Sequence, residues 1–237
     1  MGLPTAMDNL IYIEMEFIMK KKFNHMLVPY VELETTNIDG ARWYILPDGL
    51  TKLKSVTTII SEKSDKTALN EWRARVGDEE ADRISKQATR RGSAIHKIAE
   101  RYVLNEENIF KNEMPINILS FFPLKEALDG HVDNILGVEL PLYSKSLGCA
   151  GRTDLVAEYD GVLSIIDFKT SKKPKKEQWI ENYFIQSTVY SMMFEWIYKI
   201  AVPQIAIMIT VDNERTPQTF VMERSKYVNK VLEIFTS

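Results

Sequence analysis

Two ionisable residues set into an otherwise apolar strand constrain this chain more than any other feature. Positions 165–171 read Ile-Ile-Asp-Phe-Lys-Thr-Ser, where alternation puts Asp167 and Lys169 on one face and Ile166 and Phe168 on the other. Upstream, Gly151-Arg152-Thr153-Asp154 opens a second strand, with Arg152, Asp154, Val156 and Glu158 on one face. Tyr159-Asp160-Gly161 supplies a turn between them. If the strands pair, Asp154, Asp167 and Lys169 converge at one edge of a sheet. A carboxylate in a strand with a buried face requires a partner.

Two carboxylates beside an ammonium suit a divalent cation and a phosphodiester. Mg²⁺ prefers oxygen ligands and is held by one or two carboxylates plus substrate phosphate, with Mn²⁺ as a substitute. A lysine there can orient or deprotonate water, or stabilise charge at phosphorus. The competing reading, a hairpin with surface charges and a structural ion pair, is the commoner fate of a lone Asp-x-Lys.

Three further motifs accompany this pair in order. Arg91-Gly92-Ser93-Ala94-Ile95-His96 lies on a helical stretch upstream, Gly151-x-x-Asp154 follows, and Gln186-x-x-x-Tyr190 comes after the Asp-x-Lys strand. Together they resemble the PD-(D/E)XK nuclease superfamily in its RecB-like exonuclease branch, the group of mitochondrial genome maintenance exonucleases and their phage-encoded relatives. The resemblance covers roughly residues 55–200, and Thr153 replaces the proline of the family's name. It implies that Asp154 and Asp167 bind metal with the Phe168 carbonyl and His96, that Lys169 is catalytic, and that Gln186 and Tyr190 lie near the scissile strand. It also implies a restriction-endonuclease-like α/β core. The chain's one cysteine, Cys149, excludes the four-cysteine iron–sulfur cluster that some of these exonucleases carry.

That cysteine also excludes an internal disulfide and favours a reducing compartment. No stretch approaches the roughly 18 apolar residues of a membrane span. The net charge of -3 does not announce a nucleic-acid binder, so affinity for a polyanion must come from local clustering. The N-terminal residues carry no secretory signal, and Asp8, Glu14 and Glu16 precede any arginine, unlike a mitochondrial presequence. A bacterial cytoplasm or that of a virus-infected host fits, and Met19 is an alternative start.

Along the chain, residues 30–36 and 42–46 read as a hairpin, and 55–60 is β-branched but sits where the resemblance expects a helix. Residues 65–76 and 78–104 read as helices punctuated by Gly77, the second with an apolar stripe from Ile84 and Ala88 to Tyr102. A helix over 116–128 precedes strands at 136–144, 151–158 and 162–171. A long helix over 177–199, strands at 205–211 and 219–223, and a closing helix capped by Ser225 complete the reading. This order predicts a central mixed β-sheet flanked by helices, divided into an extension and hairpin (1–54), a helical part (55–130) and a catalytic core (131–237).

Supporting residues follow. Glu100 shares a helical face with His96 and is a candidate for a supporting or second-metal group. Glu139, one strand before Asp154, matches an acidic position of the resembled family and can orient a metal-bound water. Arg152 can clamp a phosphate and Ser171 can donate to one, and the run Lys172-Lys173-Pro174-Lys175-Lys176 offers counterion-releasing contacts to DNA. Trp72, Trp179 and Trp196 are stacking candidates, although aromatics are more often buried. His25 and His131 read as structural. The leading expectation is a metal-dependent DNA exonuclease acting on single strands or frayed ends in replication, repair or recombination, alongside proteins of those processes and without a membrane partner. A flap or junction endonuclease, and an idle DNA-end-binding protein on the same fold, are the alternatives.

Overall fold

A computed structural model describes residues 21–236 of the chain. The readings made on residues 1–20, the alternative start included, lie outside the described residues. Strands β1 (Glu34–Ile38) and β2 (Ala41–Ile45) form a hairpin turning at Asp39 and Gly40, both at positive φ. β3 (Lys52–Ser55) pairs antiparallel with β2. β4 (Val132–Ser144) runs antiparallel along the whole of β5 (Cys149–Tyr159). On the other side of β5, β6 (Val162–Ser171) pairs antiparallel from Leu155 opposite Ile166 to Tyr159 opposite Val162. β7 (Gln204–Val211) is parallel to β6, and β8 (Gln218–Glu223) closes that edge antiparallel.

The decisive detail is what else β5 holds. Beyond its contact with β6 it pairs parallel with β3, Lys54 opposite Cys149 and Ser55 opposite Ala150. Gly151 to Asp154 lie between these two pairings, where one side of β5 faces neither β6 nor β3 in the ladder. The sheet forks there. The hairpin of the N-terminal extension is continuous with this sheet through β3.

Helices cover both faces. α1 (Val56–Lys63) starts at Ser55, whose Oγ accepts from the Thr58 amide at 3.0 Å. This cap and the burial of Val56 and Ile60 decide for helix despite the β-branched run. α2 (Thr67–Val76) buries nothing, and α3 (Asp78–Val103) buries only Ala81 before Ile95. The stripe foreseen from Ile84 therefore becomes core only from Ile95 onward. Ile95 and Ile98, with Phe121, Leu124 and Leu128 of α4 (Pro115–His131), pack on Leu155, Ile166 and Phe168. Opposite them, Phe184, Ile185 and Val189 of α5 (Glu181–Tyr198) and Val231 of α6 (Val228–Thr236) cover Val156, Ile165, Ile205 and Ile207. Each such side chain contributes roughly 1.5–3 kcal/mol on burial. The result is the expected mixed sheet flanked by helices, consistent with a restriction-endonuclease-like core.

Boundaries differ in places. Residues 30–33 precede β1 without joining it, and Glu177–Trp179 form a separate 3₁₀ turn before α5. Ser225 does not cap the last helix: it lies in the 3₁₀ turn Arg224–Lys226, where its Oγ bonds the Glu223 carboxylate at 3.2 Å.

Candidate metal centre at the fork of the sheet

One rung past Leu155 and Ile166, the register would set Asp154 against Asp167, and there the ladder ends. The Phe168 amide donates instead to Asp154 Oδ2, at 2.7 Å. From α3, His96 brings Nδ1 to 3.4 Å from Asp154 Oδ1, with its ring edge-on to Phe168 at 6.1 Å. From β4 comes Glu139, bracketed by Val138 opposite Leu155 and Leu140 opposite Thr153. Its φ of 47° is in the left-handed region, at a cost of about 1–2 kcal/mol for a side chain of this kind. Arg152 holds the turned backbone, its Nη1 donating to the Glu139 carbonyl at 2.5 Å while Nη2 pairs with Glu32. Ligand atoms of His96, Glu139 and Asp154 all lie within 4.8 Å of one another.

Asp167 sits beside this triad, 2% exposed. Its Oδ1 accepts from Gln186 Nε2 at 2.9 Å, and Oδ2 faces the Lys169 ammonium. Lys169 Nζ also lies 5.1 Å from the centre of the Tyr183 ring.

Charge and burial compete here. Burial opposes the His96 charge, but the Asp154 carboxylate overcomes it and lifts the imidazole to about 9. Burial likewise pushes Asp154 up, yet His96, Lys169 and the Phe168 amide hold it below the usual range. Asp167 is raised by burial and by Asp154, against the opposing pull of Lys169. Lys169 is penalised by burial, but Asp167 and Asp154 keep it charged. Glu139 is raised to about 7 by burial, then by Asp154 and Glu100. The elevated Glu139 and Asp167 mark an excess of buried negative charge that a cation would relieve. Carboxylates with one imidazole are an oxygen-rich donor set, and the residues present fit a divalent metal.

No protein-family profile matches the chain. Mitochondrial genome maintenance exonuclease 1 from Homo sapiens is 25% identical over 143 residues, which cover 57% of this chain. The match spans 40% of the length of that protein. A solved structure described as the crystal structure of SSO0001 aligns over 98% of this chain and 86% of its own, at 11% identity and a TM-score of 0.33.

Other expected site residues fall in different places. Tyr190 is 3% exposed, and a Cβ on Gly151 would stand 2.6 Å from its hydroxyl. The glycine of Gly-x-x-Asp is therefore the seat of Tyr190, a packing role in place of the expected DNA contact. Gln186 donates to Asp167, which commits its amide nitrogen to that carboxylate. Arg152 is committed to Glu139 and Glu32, which corrects its reading as a free phosphate clamp. Ser171 Oγ donates to the Lys173 carbonyl at 2.7 Å, closing its own loop, while Lys172 and Lys173 are exposed. Glu100, one turn past His96, is half-buried and raised by that burial and by Glu106. His25 bonds the Val103 carbonyl and His131 bonds Asp160, both away from the triad. Tyr183 went unread in the sequence, although its spacing of three from Gln186 puts both on one helical face. Among the described residues no helix is long and apolar enough to cross a membrane.

Proposed function

We propose that the chain is a divalent-metal-dependent nuclease that hydrolyses phosphodiester bonds of DNA, acting as an exonuclease on single strands or frayed ends. The observation that carries this reading is the meeting of His96, Glu139 and Asp154 beside the buried Asp167–Lys169 pair. Likeness to a protein named as an exonuclease supports the class of reaction.

Asp154, His96 and Glu139, with Asp167 and the Phe168 carbonyl, would hold Mg²⁺ or Mn²⁺. When bound, such an ion supplies a Lewis acid and a more acidic water at the phosphate. Lys169 stays an ammonium between Asp167 and Asp154, so its part is to stabilise negative charge growing on phosphorus oxygens and to position water. Gln186 fixes the rotamer of Asp167, and Arg152 fixes the backbone of Glu139. Lys172 and Lys173, on the loop that follows β6, add affinity for a polyanion that weakens with salt. The setting would be DNA replication, repair or recombination.

Linear and circular single-stranded DNA of one sequence, incubated with Mg²⁺, test the mode. Loss of the linear strand alone is expected. Cleavage of the circle would make the enzyme an endonuclease, and binding of both without cleavage would leave an end-binding protein.

A further inference from the structure

Trp179 is 60% exposed, the most exposed aromatic among the described residues, and it stands on a rigid mount. Its amide donates to the Lys176 carbonyl at 2.9 Å, and the Ile180 amide to that of Glu177 at 3.1 Å. Ile180 itself is 1% exposed in the core below α5, and the Tyr183 amide bonds its carbonyl at 2.8 Å. The backbone beneath the indole is held this way, while the ring itself is left largely in water.

Its position explains more than its exposure. Tyr183, Gln186 and Tyr190 recur at the spacing of one face of α5, and Trp179 sits on the 3₁₀ turn that leads into it. In sequence order the side chains run from exposed Trp179, through half-buried Tyr183 against Lys169, to Gln186 on Asp167 and buried Tyr190. The indole thus stands on the turn leading into the helix whose Tyr183 and Gln186 meet Lys169 and Asp167. Lys176 Nζ lies 5.2 Å from the indole centre, and Lys172, Lys173 and Lys175 occupy the same loop. A flat π-surface beside ammonium groups matches a ligand that alternates flat bases with phosphates.

We infer that Trp179 is a base-stacking platform, where a nucleobase of single-stranded DNA lies on the indole while Lys176 meets the adjoining phosphate. This rests on the nuclease reading and adds to it a contact that orders the strand before it reaches Lys169. It favours unpaired over paired ends, because a base within a duplex has no free face to offer. Trp196, 42% exposed near the far end of α5, lacks the basic loop and serves as the control.

The test is binding of a fluorescein-labelled single-stranded oligonucleotide by the full chain in chelator, so that nothing is cleaved. Trp179→Ala is expected to weaken binding about 5- to 30-fold, Trp179→Phe less than about 3-fold, and Trp196→Ala not measurably. Because a variant can fail to fold, the parent protein is also titrated with oligonucleotides carrying one abasic position. One abasic position should reproduce the loss. Equal binding by Trp179→Ala and parent, or no abasic position that matters, overturns the platform alone. A parent that binds no single-stranded DNA overturns the nuclease reading and the platform with it.

Discussion

The Asp154 carboxylate takes the Phe168 amide as its hydrogen-bond donor, at 2.7 Å, in the place where β5 and β6 cease to pair. One side chain thus ends a ladder, satisfies the amide freed by that ending, and turns its other oxygen to His96. The fork of the sheet and the candidate centre share a single cause.

Replacing Asp154 should separate these duties. Asp154→Asn retains an acceptor for the Phe168 amide and is expected to stay within about 1 kcal/mol of parent stability, while Asp154→Ala orphans a buried amide and costs about 1–3 kcal/mol. Both should lose nuclease turnover. Urea unfolding in parallel with a cleavage assay checks the split.

Gly151→Ala is expected to destabilise the chain by about 1–3 kcal/mol, since its Cβ would stand 2.6 Å from the Tyr190 hydroxyl and 2.7 Å from Cε1. Adding Tyr190→Leu should recover part of that loss. Unfolding midpoints of the two single variants and the double variant measure it, and strict additivity would show that the two residues do not meet.

Arg152→Met should act through Glu139. Without the guanidinium, the left-handed Glu139 backbone loses its hold on the carbonyl side. Mn²⁺ affinity by calorimetry is expected to fall about 10–100-fold, as for other residues that orient a ligand from behind. Glu139→Gln should produce a comparable loss, and the double variant little more than either alone. Additive losses would detach Arg152 from Glu139.

The His96–Asp154 pair gives a pH dependence of definite sign. His96 is raised from 6.5 to about 9, so its contribution is fully present below the unfolded value and lost as pH rises through 9. In chelator, the parent should lose at most about 3 kcal/mol more than His96→Gln between about pH 6 and about pH 10. Urea midpoints across that range decide it, and identical profiles would remove the ion pair from the ledger.

Much of this was legible in the residues. Alternation in 165–171 put Asp167 and Lys169 on one face, and the strand order gave the mixed sheet. Helix over strand at 56–63 was not, because the β-branched residues and the Ser55 cap point in opposite directions and burial decides. The fork was hidden as well: periodicity says which face a residue takes, not where one strand exchanges β6 for β3. For the same reason Glu139 was read as a supporting residue, since nothing in its neighbourhood announces a positive φ. A tyrosine on an amphipathic face such as Tyr190 is equally suited to core and to ligand, and only the space above Gly151 distinguishes them. Arg152 is equally suited to phosphate in the sequence because its partners, Glu32 and the Glu139 carbonyl, come from distant positions.

Degradation of end-labelled single-stranded DNA by the parent chain and by Lys169→Met, each with Mg²⁺ and with chelator, addresses the centre most directly. The parent with Mg²⁺ should shorten the strand, chelator should stop it, and Lys169→Met should be slower by about 10³-fold or more while still binding DNA. Cleavage that persists in chelator, or a Lys169→Met variant as fast as the parent, would contradict a metal-dependent nuclease built on Asp154, Asp167 and Lys169.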